Sequence, residues 1–201
     1  MSTIKNICVY CGSGPGNDPR FVKDATMLGS ILADNDIGLV YGGGSVGLMG
    51  AVSSAAIAKG GRVTGVIPEF LSGRERPLAD AQELIVTHDM HERKRIMFER
   101  SDAFVALPGG IGTLEELVEQ LTWAQLGRHK KPILVLNTGG FWDPLCSLLE
   151  HMSSLAFIHT QSQVNLLVAD RVEDVLPKLK SAAAPVTLWS LRKDETVSEN
   201  M

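Results

Sequence analysis

Short apolar runs interleave with helical patterns along the whole chain, and this alternation narrows the fold more than any other feature. The runs are Ile4–Cys11, Ile37–Tyr41, Arg62–Ile67, Glu83–Thr87, Ala103–Leu107, Ile133–Asn137 and Asn165–Val168. Helical patterns lie near Asp18–Asn35, Val46–Lys59, His91–Arg100, Thr113–Leu126, Pro144–Met152 and Val172–Lys180. Most runs are apolar throughout, as strands are when helices cover both faces of a parallel sheet. The order predicts an α/β fold: a Rossmann-like, doubly wound parallel sheet of about seven strands flanked by helices. With 201 residues and 44% hydrophobic side chains, one domain over 1–180 can bury a core of ordinary size. The composition changes at Ser181, where Ala182-Ala183-Ala184-Pro185 leads into mixed polar sequence. Residues 181–201 are therefore expected to form a partly ordered tail.

Ligands in such sheets sit beyond the C-terminal ends of the strands. Glycine clusters follow the first, second and fifth runs, at Gly12–Gly16, Gly42–Gly50 and Gly109–Gly112, which predicts one shared pocket. The most informative stretch is Pro108-Gly109-Gly110-Ile111-Gly112-Thr113-Leu114-Glu115-Glu116. It joins an apolar run to a helix start. Small residues let the backbone approach a phosphate, and the free N–H groups and positive end of the helix hold it. Thr113 can add a hydroxyl. The acid pair one turn inside is unusual, because a carboxylate near a bound phosphate is repelled by it. One of the two could merely favour the helix dipole. Chemistry on a phosphorylated sugar accounts for the other.

These nine residues match the PGGxGTxxE motif, and the chain resembles the Lonely guy (LOG) family on that basis. Two further matches come in the right order: Gly42-Gly43-Gly44-Ser45-Val46-Gly47-Leu48-Met49-Gly50, and Met90-His91-Glu92-Arg93-Lys94. The resemblance runs from about Ile4 to about Leu179. It implies a phosphoribohydrolase that cuts the base from a nucleoside 5′-monophosphate, with N6-prenylated adenine or AMP as the base-bearing substrate. It also implies a homodimer. The motif places the functional acid at Glu116 and a phosphate- or ribose-binding arginine at Arg93, which could also hold Glu116 ionised. The substrate-binding set it implies is Gly43, Gly44, Ser45, Glu75, Lys94, Gly109, Gly110, Ile111, Gly112, Thr113, Leu114, Glu115 and Thr122. The sequence around Glu75 departs from the usual pattern, and Glu69 is a substitute for it. Lys94 and Arg95 also fit a solvated basic face. Members of the family have been labelled lysine decarboxylases, but no lysine here has a recognisable pyridoxal-phosphate context.

Other functions fit less well. Gly42, Gly44 and Gly47 satisfy G-x-G-x-x-G after a strand, with Glu69 ending the next one, so a nicotinamide oxidoreductase is an alternative. It would leave the second glycine–helix site without a use. A nucleotide or molybdenum-cofactor carrier on the same fold is another alternative, opposed by the presence of both Arg93 and Glu116. Cys8 and Cys11 have C-x-x-C spacing but fall in one strand, where residues three apart face opposite ways. No second cysteine pair completes a zinc site, so both read as core. His88 and His91 read as pocket-lining or helix-start residues, Met90 and Met97 as core, and Ser13 as an added hydroxyl. No metal or cofactor is called for. A net charge of −4 argues against a nucleic-acid partner. The first residues lack the apolar core of a signal peptide, and no run approaches the ~20 apolar residues of a membrane span. A cytoplasmic setting is expected.

Overall fold

The computed structural model describes residues 4–71, 82–158 and 165–183. Seven strands form one sheet in the order β4-β3-β2-β1-β5-β6-β7, and every pairing is parallel. The strands are β1 (Asn6–Tyr10), β2 (Gly38–Tyr41), β3 (Val63–Pro68), β4 (Glu83–Thr87), β5 (Ala103–Ala106), β6 (Ile133–Leu136) and β7 (Leu166–Ala169). The helices are α1 (Pro19–Asp34), α2 (Gly47–Ala58), α3 (Met90–Glu99), α4 (Ile111–Gln125), α5 (Asp143–Ser154) and α6 (Val175–Ala183). Each predicted strand and helix is present, with no end shifted by more than three residues.

The continuous apolar runs have the expected cause. On β1, Ile7 and Val9 enter the core beneath α1, α2 and α6, while Cys8 and Tyr10 enter the core beneath α3, α4 and α5. Val105 and Phe104 of β5 divide the same way, as do Leu134 and Val135 of β6. Both faces are covered, so neither pleat face can be polar. Cys8 and Cys11 fall in opposite cores, and neither is in a disulfide.

Chain order reverses at β1, which pairs with β2 on one side and β5 on the other. The crevice above that reversal is where open α/β sheets bind ligands. Backbone bonds draw its loops together. The Gly12 N–H donates to Pro108 O at 3.1 Å, and the Leu48 N–H donates to Gly12 O at 3.1 Å. The three glycine clusters therefore meet at one place.

Candidate active site

Asp89 fixes where α3 begins: its side chain accepts from the Glu92 N–H at 2.8 Å, and the Glu92 carboxylate accepts from the His88 N–H at 2.9 Å. This reciprocal capping seeds the helix that carries Arg93. His88 and His91 stand exposed at that helix start. Among the described residues, no group of three or more His, Cys, Asp or Glu could hold a metal ion.

Gly110 caps α4 with extended backbone and no side-chain bond. The first N–H groups of that helix thus lack intrahelical and side-chain acceptors. Space around Gly110 and Gly112 is open, since a β-carbon at either would meet nothing within 4 Å. Gly109 is different: a β-carbon there would collide with Thr113 Oγ1 and lie 2.9 Å from the Gly12 nitrogen. Glycine is required at 109 by contact, and at 110 and 112 it leaves room for a ligand.

A cleft of about 330 Å³ opens at this point, within the usual size range for small-molecule sites. It is lined by Cys11, Gly12, Ser13, Leu71, Met90, Arg93, Gly110, Ile111, Gly112, Thr113 and Glu116. Arg93 and Glu116 form its charged centre. Nη1 of Arg93 lies 3.1 Å from Oε1 of Glu116, and the side chains are only 10% and 8% exposed. The guanidinium is held on other sides as well. Its Nε donates to Val66 O at 3.1 Å, Nη1 lies 3.8 Å from the Met90 sulfur, and Nη2 rests against Gly42, whose added β-carbon would fall 2.5 Å away. Beneath the pair, burial pushes the Cys8 thiol and the Tyr10 phenol up, and the Glu116 charge acts in the same direction. Both stay protonated near neutral pH, so Cys8 is neither a thiolate nucleophile nor a ready metal ligand.

Helix geometry separates residues that the motif lists together. Thr113 and Glu116 lie three apart and share the buried face. Glu115 points elsewhere and meets the Lys94 ammonium at 2.6 Å. Lys94 is buried and paired, not part of a solvated basic face. Leu114 packs into the core below α4. Gly43 and Gly44 are buried, Gly43 against Val66 and Ile67, and Ser45 is half-buried; none of the three lines the cleft. Thr122 bonds to Val118 O at 2.8 Å and lines a different, larger groove of about 850 Å³ between α4, α5 and β7. Glu75 lies outside the described residues, and Glu69 is exposed just past β3. Met97 is core as expected, whereas Met90 lines the cleft. Met90 and Cys11, both expected in the core, line the cleft together with Leu71, and their helical or strand neighbours gave no sign of it.

The parallel sheet, with a switch-point cleft that contains an uncapped helix start and a buried arginine–glutamate pair, defines a Rossmann-like α/β protein. Comparison with known proteins agrees. A family model described as "Possible lysine decarboxylase" matches residues 49–179. The cytokinin riboside 5′-monophosphate phosphoribohydrolase LOG of Oryza sativa subsp. japonica is 46% identical over 179 residues, covering 89% of this chain and 74% of the rice protein. The cytokinin riboside 5′-monophosphate phosphoribohydrolase of Rhodococcoides fascians is 42% identical over 180 residues, covering 89% and 91% of the two chains. Among solved structures, a molybdenum cofactor binding protein from Rippkaea orientalis superposes with a TM-score of 0.68 at 25% identity, covering 92% of this chain and all of that one. The chain belongs to the LOG family, the group to which that family model and these phosphoribohydrolases point.

Proposed function

We propose that this protein hydrolyses the N-glycosidic bond of a cytokinin riboside 5′-monophosphate, and of AMP as a second substrate, giving free base and ribose 5-phosphate. The carrying observation is the buried Arg93–Glu116 pair beside the uncapped start of α4. The 5′-phosphate binds the first-turn N–H groups of α4 and the Thr113 hydroxyl. That anchors the sugar with its anomeric carbon facing Glu116. As the bond to the base nitrogen lengthens, positive charge develops on the ribose, as in glycoside hydrolysis. The Glu116 carboxylate stabilises that charge and takes a proton from the attacking water. The water oxygen bonds to the anomeric carbon, the electron pair leaves with the base, and the base nitrogen gains a proton. Arg93, fixed by Val66 O and packed on Gly42, orients the carboxylate and contacts substrate oxygens.

Neither alternative has comparable support. The nicotinamide reading needs Gly42 for a dinucleotide, yet Gly42 packs on Arg93. The carrier reading rests on a 25% identical structural neighbour, against 46% identity to a phosphoribohydrolase. Lysine decarboxylation lacks a candidate: the buried lysine nearest the cleft is bound to two glutamates.

Purified protein should release free base and equimolar ribose 5-phosphate from isopentenyladenosine 5′-monophosphate or AMP in a chromatographic assay. No product from either, with nucleotide still bound, would transfer support to the carrier reading. A homodimer, as the resemblance implies, would cover the apolar groove exposing Val118 and Phe157; light scattering tests that. No helix among the described residues is long and apolar enough to cross a membrane, and we assign a cytoplasmic setting.

Gly42 gives a sharper check on Arg93. Gly42→Ala puts a methyl 2.5 Å from Nη2 and 3.0 Å from the Met49 sulfur. A guanidinium can swing away while backbone cannot, so the fold should survive and turnover fall roughly tenfold. Unchanged kcat with an unchanged melting temperature would show that the position of Nη2 does not matter.

A further inference from the structure

The mechanism leaves one buried cation without a role. Lys94 follows Arg93 on α3, and its side chain is 10% exposed. Its ammonium lies 2.6 Å from Glu115 Oε1 and 3.0 Å from Glu119 Oε1. These carboxylates flank Glu116 on α4. A lysine that bound substrate phosphate would turn its ammonium to the cleft, but Lys94 does not line it. Burial alone would disfavour its charge, yet the bonds it donates to Glu115 and Glu119 outweigh that and raise its pKa. It is a permanent cation.

We infer that Lys94 is a positioning residue for Glu116: through Glu115 and Glu119 it fixes α3 against α4 at the Arg93–Glu116 contact and balances the two carboxylates beside the catalytic one. This rests on the phosphoribohydrolase reading. Two adjacent rungs join the helices, Arg93 to Glu116 and Lys94 to Glu115 and Glu119. The first rung does chemistry; the second sets its geometry. Glu119, 20% exposed, is the stronger partner of Lys94, because Glu115 is 49% exposed and its attraction is screened by water. Among the described residues, the cluster holds two cations, Arg93 and Lys94, against three carboxylates. From β1 it faces only the thiol of Cys8 and the phenol of Tyr10, both held neutral by burial. Cys11 lines the cleft at the end of that strand.

Removing Lys94 takes one positive charge away from the carboxylates of Glu115, Glu116 and Glu119, and the like charge left beside it disfavours an ionised Glu116. Removing Glu119 instead acts in the opposite direction. The two substitutions should therefore move the acidic limb of the kcat–pH profile in opposite senses. With isopentenyladenosine 5′-monophosphate as substrate, Lys94→Met is expected to lower kcat roughly tenfold, leave KM nearly unchanged and move the acidic limb up by about one pH unit. Glu119→Gln should move the limb down. Lys94→Arg should keep most of the wild-type rate, and Lys94→Met/Glu119→Gln should return the limb toward wild type. A raised KM in Lys94→Met, with kcat and the limb unmoved, would make Lys94 a substrate ligand and overturn the inference. If Lys94→Met does not fold, an unmoved limb in Glu119→Gln overturns it as well. Absence of turnover in the wild type would instead count against the hydrolase reading. In that case the Glu116 carboxyl, titrated by carbon NMR in nucleotide-free protein, should still shift up in Lys94→Met and down in Glu119→Gln; no shift in either rejects the balancing role.

Discussion

Glu116→Gln is expected to lower turnover by about 10²- to 10⁴-fold while nucleotide affinity changes little. The amide has nearly the shape of the carboxylate, so it fills the same buried position on α4 and can still accept a bond from Arg93. It cannot carry the negative charge that opposes a developing oxocarbenium, and it is too weak a base to take a proton from water. The proposed phosphate site at the start of α4 lies a turn away and would be untouched. Single-turnover rates by chromatography, set beside ribose 5-phosphate affinity by calorimetry, separate these effects. Near-wild-type rates would reduce Glu116 to a helix-stabilising acid and sink the mechanism. A parallel loss of affinity would point to misfolding, which a thermal melt would reveal.

How far the sequence led depended on how local each feature was. Strand and helix order follows from periodicity within a few residues, and the uninterrupted apolar runs carried the sheet's two-sided burial directly. The stretch Pro108–Glu116 is likewise local: strand end, glycine turn and helix start adjoin in the chain, so the open, uncapped start of α4 was readable. Spacing on a helix also assigns faces, and three residues put Glu116 with Thr113 while Glu115 turns away. The target of Glu115 was not readable, because Lys94 reaches it from another helix. The same holds for Gly42, which reads as part of a dinucleotide fingerprint until α3 brings the Arg93 guanidinium against it. Met90 looks like any apolar residue at a helix start. Only the crossing of α3 over the switch point makes it a cleft wall. Thr122 shares a helix with Glu116, yet its position some 120° further around an ideal helix takes it to the α4–α5 groove.

Arg93→Met should affect both activity and stability, in a way that distinguishes a catalytic ion pair from ordinary packing. Methionine replaces much of the aliphatic stem but leaves Glu116 with no guanidinium 3.1 Å away. Removing one partner of a buried ion pair is destabilising by about 3 kcal/mol or more near neutral pH. Burial then raises the Glu116 pKa in the folded variant above its unfolded value of about 4.3. Below the unfolded value both states are protonated and the variant loses least. As pH rises through the raised folded pKa, the unfolded chain ionises freely while the folded one cannot, so the deficit grows. Urea unfolding of wild type and variant at pH 5 and pH 8 should show a wider gap at pH 8, with hydrolysis absent at both. Arg93→Met/Glu116→Gln should recover much of the stability and none of the activity, since it removes the buried negative charge along with the base. If the double variant is no more stable than Arg93→Met, the two side chains are not coupled in the folded protein, and the pair cannot be the unit on which the chemistry rests.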